Sequence, residues 1–323
     1  MRKNLPSRII NGHFETLLPY LFRPKLKQAY QRERIFTPDD DFLDLDWVKG
    51  GHEKLLIISH GLESCSSAQY VQGLAELFKH NGYDVLAWNY RGCSGEVNRT
   101  SKYYHSGATY DLETVMQHVQ VGHNYQAVYL VGFSLGGNLT LKYLGEQSDQ
   151  INPLIKGACA FSTPCDLRSS SHQLAKGFNK LYTQNFVKSL KRKVLAKEQL
   201  LRDEGFDVDA LMELKNLPDF DDVFTAPLHG FKDSDDYYNQ ASSGPFLSEI
   251  RIPTLLVNAK NDPFLSPECY PFGAAEQNPF FTFESPESGG HVGFFEFAKG
   301  NMMWSEWRAL EFLENEISVQ KNR

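Results

Sequence analysis

Ser134 sits in the run Val131-Gly132-Phe133-Ser134-Leu135-Gly136-Gly137, a G-x-S-x-G pattern with a second glycine behind it. Ala127-Val128-Tyr129-Leu130 before it are apolar strand formers. Asn138-Leu139-Thr140-Leu141-Lys142-Tyr143-Leu144 after it are apolar at helical spacing. Strand, sharp turn and helix lift a serine hydroxyl out of a sheet edge, where it can attack an acyl carbon. Gly132 and Gly136 let strand and helix crowd around that turn. The helix N-terminus behind it offers unpaired N–H groups and the positive end of a dipole to an anion forming there.

A serine hydroxyl is a weak nucleophile near neutral pH, so it needs a base, and the base needs an orienting acid. In this strand–turn–helix setting the partners follow in the order acid, then histidine. Lys260-Asn261-Asp262-Pro263 closes the apolar run 253–259, and Ser288-Gly289-Gly290-His291-Val292-Gly293 follows the strand-like run 280–283. Asp262 and His291 are therefore the expected acid and base. Glu284 and Glu287 also precede His291, but they lie too close to it in sequence to reach across comfortably. Donors for the developing oxyanion are expected from backbone N–H groups. One is that of Leu135, after the nucleophile, and the other that of Leu62 in His60-Gly61-Leu62-Glu63. Glu63 reads as solvated, and His13, alone in a turn-like segment, as structural.

The elements that must hold these groups alternate. Residues 30–36 and 42–48 read as two antiparallel strands joined by Pro38-Asp39-Asp40-Asp41. Leu55-Leu56-Ile57-Ile58-Ser59, Asp84 to Asn89, the strand into Ser134 and Leu154 to Phe161 are buried strands, with helices over Gln69 to His80 and Thr109 to Val119 between them. Such alternation predicts a mostly parallel sheet of about eight strands, covered by helices on both faces, with its site at the C-terminal strand ends. A last amphipathic helix is expected over Met303 to Leu313. The first thirty residues read as irregular.

The rhythm breaks between Arg168 and Ser248. Residues 168–200 carry eight Lys/Arg against one Glu, and residues 201–240 carry three against eleven Asp/Glu. This stretch is expected to be a helical cap, 168–248, within a single domain, 1–323. Phe178, Tyr182 and Phe186 recur at i, i+4, i+8 and are the candidate substrate-binding residues, facing an acyl chain. The opposite charges are expected to pair with each other rather than dock on a membrane, which favours a neutral ester of short to medium chain. A transient lipid-surface contact through the basic half is the second reading.

The chain has 323 residues and a formal net charge of −7, which gives no global attraction to nucleic acid. Its five cysteines form no C-x-x-C pair, which fits a reducing, cytoplasmic compartment. No signal-like apolar region follows the charged start, and no run approaches membrane-spanning length. H-E-x-x-H, P-loop and G-x-G-x-x-G patterns are lacking, and the expected chemistry requires neither a metal nor a cofactor.

Several blocks together carry a resemblance. They are Gly12-His13 followed by Thr16 and Pro19, His60-Gly61-Leu62, Arg91-Gly92-Cys93-Ser94-Gly95-Glu96-Val97-Asn98, Tyr104-His105-Ser106-Gly107, Gly132 to Asn138, Asn261-Asp262-Pro263 and Gly290 to Phe294. On these the chain resembles the α/β-hydrolase fold family, and within it the YheT-like branch of esterases, from Asn11 to about Leu313. The resemblance implies a triad of Ser134, Asp262 and His291 and hydrolysis of carboxylic esters, lipase-like in some relatives. Thioesters, amides and lactones use the same triad, and a non-catalytic binding module on this fold is the other class of reading. The Arg91–Asn98 block has no chemistry derivable from sequence. A packing role, Arg91 with Glu96, is set beside substrate contact.

Overall fold

The computed structural model describes residues 11–24, 26, 28–296 and 302–321, with side chains as far as 315. Its frame is an eight-stranded sheet: β1 (Gln31–Phe36), β2 (Phe42–Val48), β3 (Lys54–Ser59), β4 (Asp84–Asn89), β5 (Ala127–Phe133), β6 (Ile155–Phe161), β7 (Thr254–Val257) and β8 (Phe281–Glu284). The spatial order is β1-β2-β4-β3-β5-β6-β7-β8. β1 and β2 pair antiparallel, as do β2 and β4, and every other pairing is parallel.

Alternation along each strand splits the core in two. Leu55 and Ile57 join one cluster with Leu112, Val115 and Met116 of α3 (Thr109–Gly122) and Leu139 and Leu141 of α4 (Leu135–Gln147). Leu56 and Ile58 join the other with Val71, Leu74 and Phe78 of α2 (Gln69–His80) and Leu310 and Leu313 of the last helix, Trp304–Lys321. A strand buried on both faces must be apolar throughout, which is why β3 reads as an unbroken run. Each such side chain stabilises the fold by roughly 2 kcal/mol.

The N-terminal segment departs from expectation. Residues Gly12–Phe22 form a helix, α1, capped by Asn11, whose side chain accepts from the N–H of Phe14 at 2.9 Å. Pro19 inside it and the mixed polarity of its first turn hide the helical pattern.

Between β6 and β7 the chain is helical: α5 (Leu167–Leu174), α6 (Asn179–Leu195), α7 (Glu198–Asp203), α8 (Leu217–Phe220), a π-helical turn (Asp221–Thr225), α9 (Ala226–His229) and α10 (Ser234–Ala241). These elements have a core of their own, with Val187, Leu190, Val194, Leu201, Phe220 and Phe224 buried together. The charge halves do not pair as expected. Among the described residues Arg168–Asp235 and Arg202–Glu198, both at 2.9 Å, are the ion pairs joining them. Lys193 of the basic α6 instead turns to Glu63, and Lys197, just beyond that helix, to Asn98, in the loops after β3 and β4.

Candidate active site

β5 ends at Phe133 and α4 begins at Leu135, leaving Ser134 at φ 52°. A non-glycine residue there is strained, and the surroundings hold it. A Cβ on Gly132 would lie 2.2 Å from the Gly136 carbonyl oxygen, and one on Gly136 2.2 Å from that of Ser59. Neither position tolerates a side chain without the turn moving.

Ser134 Oγ lies 2.9 Å from His291 Nε2, and His291 Nδ1 lies 2.9 and 3.1 Å from the two oxygens of Asp262. Facing a carboxylate, Nδ1 carries the proton, which leaves Nε2 to accept from the serine hydroxyl. The Asp262 carboxylate is fully buried and also accepts from the Phe264 N–H at 2.9 Å. The Phe264 ring stacks on the imidazole with centroids 4.1 Å apart. The rival acids are engaged elsewhere, Glu284 with Arg308 at 3.0 Å and Glu287 with Lys260.

The two loops bearing Asp262 and His291 are tied by the first turn of α1. Glu15 accepts from Asn261 Nδ2 at 2.8 Å and from the Gly289 N–H at 2.6 Å. Thr16 Oγ1 accepts from the His291 N–H at 2.9 Å, and Asn261 Oδ1 from the Gly290 N–H at 3.0 Å. A Cβ on Gly12 would sit 1.7 Å from the Asn261 carbonyl oxygen, and one on Gly293 2.2 Å from that of Glu15. Glu15 and Thr16 are positioning residues that the sequence reading missed. The close packing of Gly12 against Asn261 gives the Gly12-His13 block its role. His13 itself packs its ring on Phe178 and Tyr182, with centroids 4.7 and 5.9 Å away.

The loop after β3 is held on several sides. His60 Nδ1 donates to the Gly61 carbonyl at 2.8 Å and its Nε2 accepts from the Tyr90 N–H at 3.3 Å. Burial lowers its pKa to about 3, so it is a neutral structural group. The Tyr70 hydroxyl accepts from the Gly61 N–H at 2.9 Å. Glu63 is not solvated: its carboxylate is buried, paired with Lys193 at 2.8 Å and bonded by the Tyr104 hydroxyl at 2.7 Å. Among the described residues the N–H groups of Leu62 and Leu135 have no hydrogen-bond partner. Leu62, Leu135, Ser134 and His291 line one cavity of about 100 Å³.

Much of the remaining wall comes from the helical stretch, including Leu174, Phe186, Leu190, Leu217, Asp221 and Tyr237, with Tyr103 to Ser106 before α3 and Phe264 and Leu265 after β7 adding to it. Of the three aromatic candidates, Phe186 lines the cavity. Phe178 and Tyr182 do not: Phe178 is half exposed before α6, and Tyr182 packs edge-on against Phe264 at 4.8 Å. The helix turns about 100° per residue, so an i, i+4, i+8 series drifts off one target.

Arg91 and Glu96 do not pair. Arg91 is buried among Asp111, Asp39 and Asp41, nearest contacts 2.7, 2.6 and 3.4 Å, and Glu96 pairs with Arg34 at 2.7 Å. Asn98 bonds Asp41, and Lys197 donates to Asn98 and to the Thr100 carbonyl. The block braces the loop after β4 and anchors α6. Away from Ser134, His291 and Asp262, Glu33, His118 and His123 bring one potential ligand atom each to within 4.8 Å of one another, at the β1 edge beside α3. Glu33 is also bonded by the Trp47 indole at 2.8 Å.

Strand order, elbow and helices on both faces define an α/β-hydrolase. The profile of the family described as Hydrolase_4, serine aminopeptidase S33, matches residues 50–270, and the chain belongs to this family of esterase- and lipase-like hydrolases. It is 34% identical over 322 residues to YheT of Escherichia coli (strain K12), an esterase by name, covering 96% of this chain and 92% of that one. It is 30% identical to the human phospholipase ABHD3, covering 88% and 71%. The Pyrococcus furiosus esterase Pf2001 superposes with a TM-score of 0.61 at 19% identity, covering 97% and 98%, which speaks to the fold alone. No helix among the described residues is long and apolar enough to cross a membrane.

Proposed function

We propose that the protein is a serine esterase working through Ser134, His291 and Asp262. The observation that carries this is the hydrogen-bonded chain Ser134–His291–Asp262, with contacts of 2.9 Å at both links, beside two unpaired backbone N–H groups. Ser134 Oγ attacks the ester carbonyl and forms a C–O bond, while its proton passes to His291 Nε2. Asp262 holds the imidazole and offsets the charge it gains. The N–H groups of Leu62 and Leu135 receive the oxyanion. Collapse of this intermediate expels the alcohol, which takes the proton from His291. Water then repeats the attack, with His291 as base, and releases the acid.

The segment 168–248 acts as a cap in a single domain and selects the acyl chain, with Leu174, Phe186 and Leu190 as its apolar wall. Relatives named esterase, phospholipase and monoacylglycerol lipase support an ester as substrate, acylglycerols included. Contact with lipid surfaces would use the exposed Tyr20, Leu21 and Phe22 of α1 and Phe178 and Leu181 beside Lys180.

The experiment is a turnover panel of p-nitrophenyl acyl esters of graded length, with matched thioesters, anilides and lactones. Esters of short to medium chain should give the highest kcat/KM. Thioesters or anilides exceeding every ester would overturn the reading.

A further inference from the structure

Asp221 is a buried acid that the triad mechanism does not use. It opens the π-helical turn between α8 and α9, a local irregularity frequent at functional sites. The residue is 9% exposed and lines the same cavity as Ser134 and His291. Its Oδ2 accepts from the Tyr238 hydroxyl at 2.6 Å, and the Thr225 hydroxyl also bonds it.

The charges facing it come from several elements. Asp222 on its own turn repels it, and the phenols of Tyr103, before α3, and of Tyr237 and Tyr238, on α10, are held neutral by burial. Among the described residues no Lys or Arg lines the cavity. Its two histidines are His291, engaged in the triad, and His105, which burial holds well below its ordinary pKa and so uncharged. Burial raises the Asp221 pKa to about 6, so at neutral pH the group is largely ionised. A buried anion with no cation of its own is costly, and a bound cation would offset that cost.

We propose that Asp221, with the rings of Tyr103, Tyr237 and Tyr238, is a subsite for an ammonium group, so that the cavity takes an ester carrying a positive charge. The carboxylate supplies the counter-charge, and the tyrosines supply the π faces and oxygens that such a head group finds favourable. This departs from the neutral ester expected of the sequence. It rests on the esterase reading for the bond broken, but not for the binding.

Choline butyrate and 3,3-dimethylbutyl butyrate differ only in a positively charged nitrogen for a carbon. At pH 8 the protein should cleave the choline ester with a KM roughly tenfold lower, and Asp221→Asn should bring the two values together. Tyr238→Phe, which keeps the carboxylate, should retain the preference. Equal KM values in the unmodified protein, or a preference surviving in Asp221→Asn, would overturn the proposal. So would glycerol monobutyrate proving to be the ester whose KM responds to Asp221→Asn, because the subsite would then read hydroxyls.

Binding is measured apart from cleavage by titrating choline and 3,3-dimethylbutanol into Ser134→Ala, with tetramethylammonium and methylammonium separating quaternary from primary head groups. Choline should bind tighter than its neutral isostere, and no difference between them would overturn the subsite. A preference for choline with no turnover of either ester would leave the subsite standing and end the esterase reading. Turnover without any preference does the reverse.

Discussion

The two walls of the cavity are built by different means. On the sheet-edge wall, Ser134, Asp262 and His291 are fixed through backbone: glycines at van der Waals limit, a strained serine, and N–H groups held by Glu15, Thr16 and Asn261. On the helical wall, Leu174, Phe186, Leu190 and Asp221 are presented as side chains from helices with a separate core. Reaction geometry tolerates displacements well under an ångström, which packing of backbone against backbone can enforce. Choice among substrates needs only shape and charge. From this difference we expect the first wall to set rate and the second to set preference, and substitutions can test that division.

The largest effect is expected at the orienting acid. Asp262→Asn should lower kcat about 10⁴-fold with KM little changed, as the wrong tautomer is then held. Glu284→Gln and Glu287→Gln should leave kcat near its original value. A loss from either that matches Asp262→Asn would move the role. Next comes the brace. Gly293→Ala places a Cβ 2.2 Å from the Glu15 carbonyl oxygen and should cut kcat roughly 100-fold by displacing His291. Glu15→Gln should do so more mildly, and in both KM should hold. A Gly293→Ala protein of unchanged kcat would mean that α1 does not set the histidine.

On the helical wall, Phe186→Ala should shift the preferred acyl length, changing KM by about tenfold for the best ester. Phe178→Ala, outside the cavity, should leave the profile as it was. Equal shifts from both would erase the distinction between cavity-lining and surface rings.

The smallest effect is on stability. Because the Asp221 pKa is raised from 3.8 to about 6, its contribution is present below the unfolded value and is lost as pH rises through 6. Asp221→Asn should therefore match the parent Tm near pH 4 and exceed it by a few degrees at pH 8. A difference that shrinks with rising pH would contradict the burial of this charge.

The same division explains what was legible in the sequence. That Ser134, Asp262 and His291 come together could be read because strand–turn–helix patterning and chain order constrain them tightly. Strands β3 to β6 could be read because burial on both faces leaves runs that little else produces. The α1 brace could not, since Glu15 and Thr16 act on loops far along the chain and nothing local marks them. Glu63 looked like any surface acid until Lys193 and Tyr104 were seen around it. The aromatic stripe gave a face but not its target, and Asp221 was lost in a run of carboxylates whose burial depends on the fold.

The central claim, that Ser134 is the nucleophile activated by His291, is tested most directly by reaction with a fluorophosphonate followed by peptide mass spectrometry. The account expects one adduct per chain, on Ser134, with labelling and ester turnover both abolished in Ser134→Ala. An adduct on another residue, or ester turnover retained by purified Ser134→Ala, would contradict it.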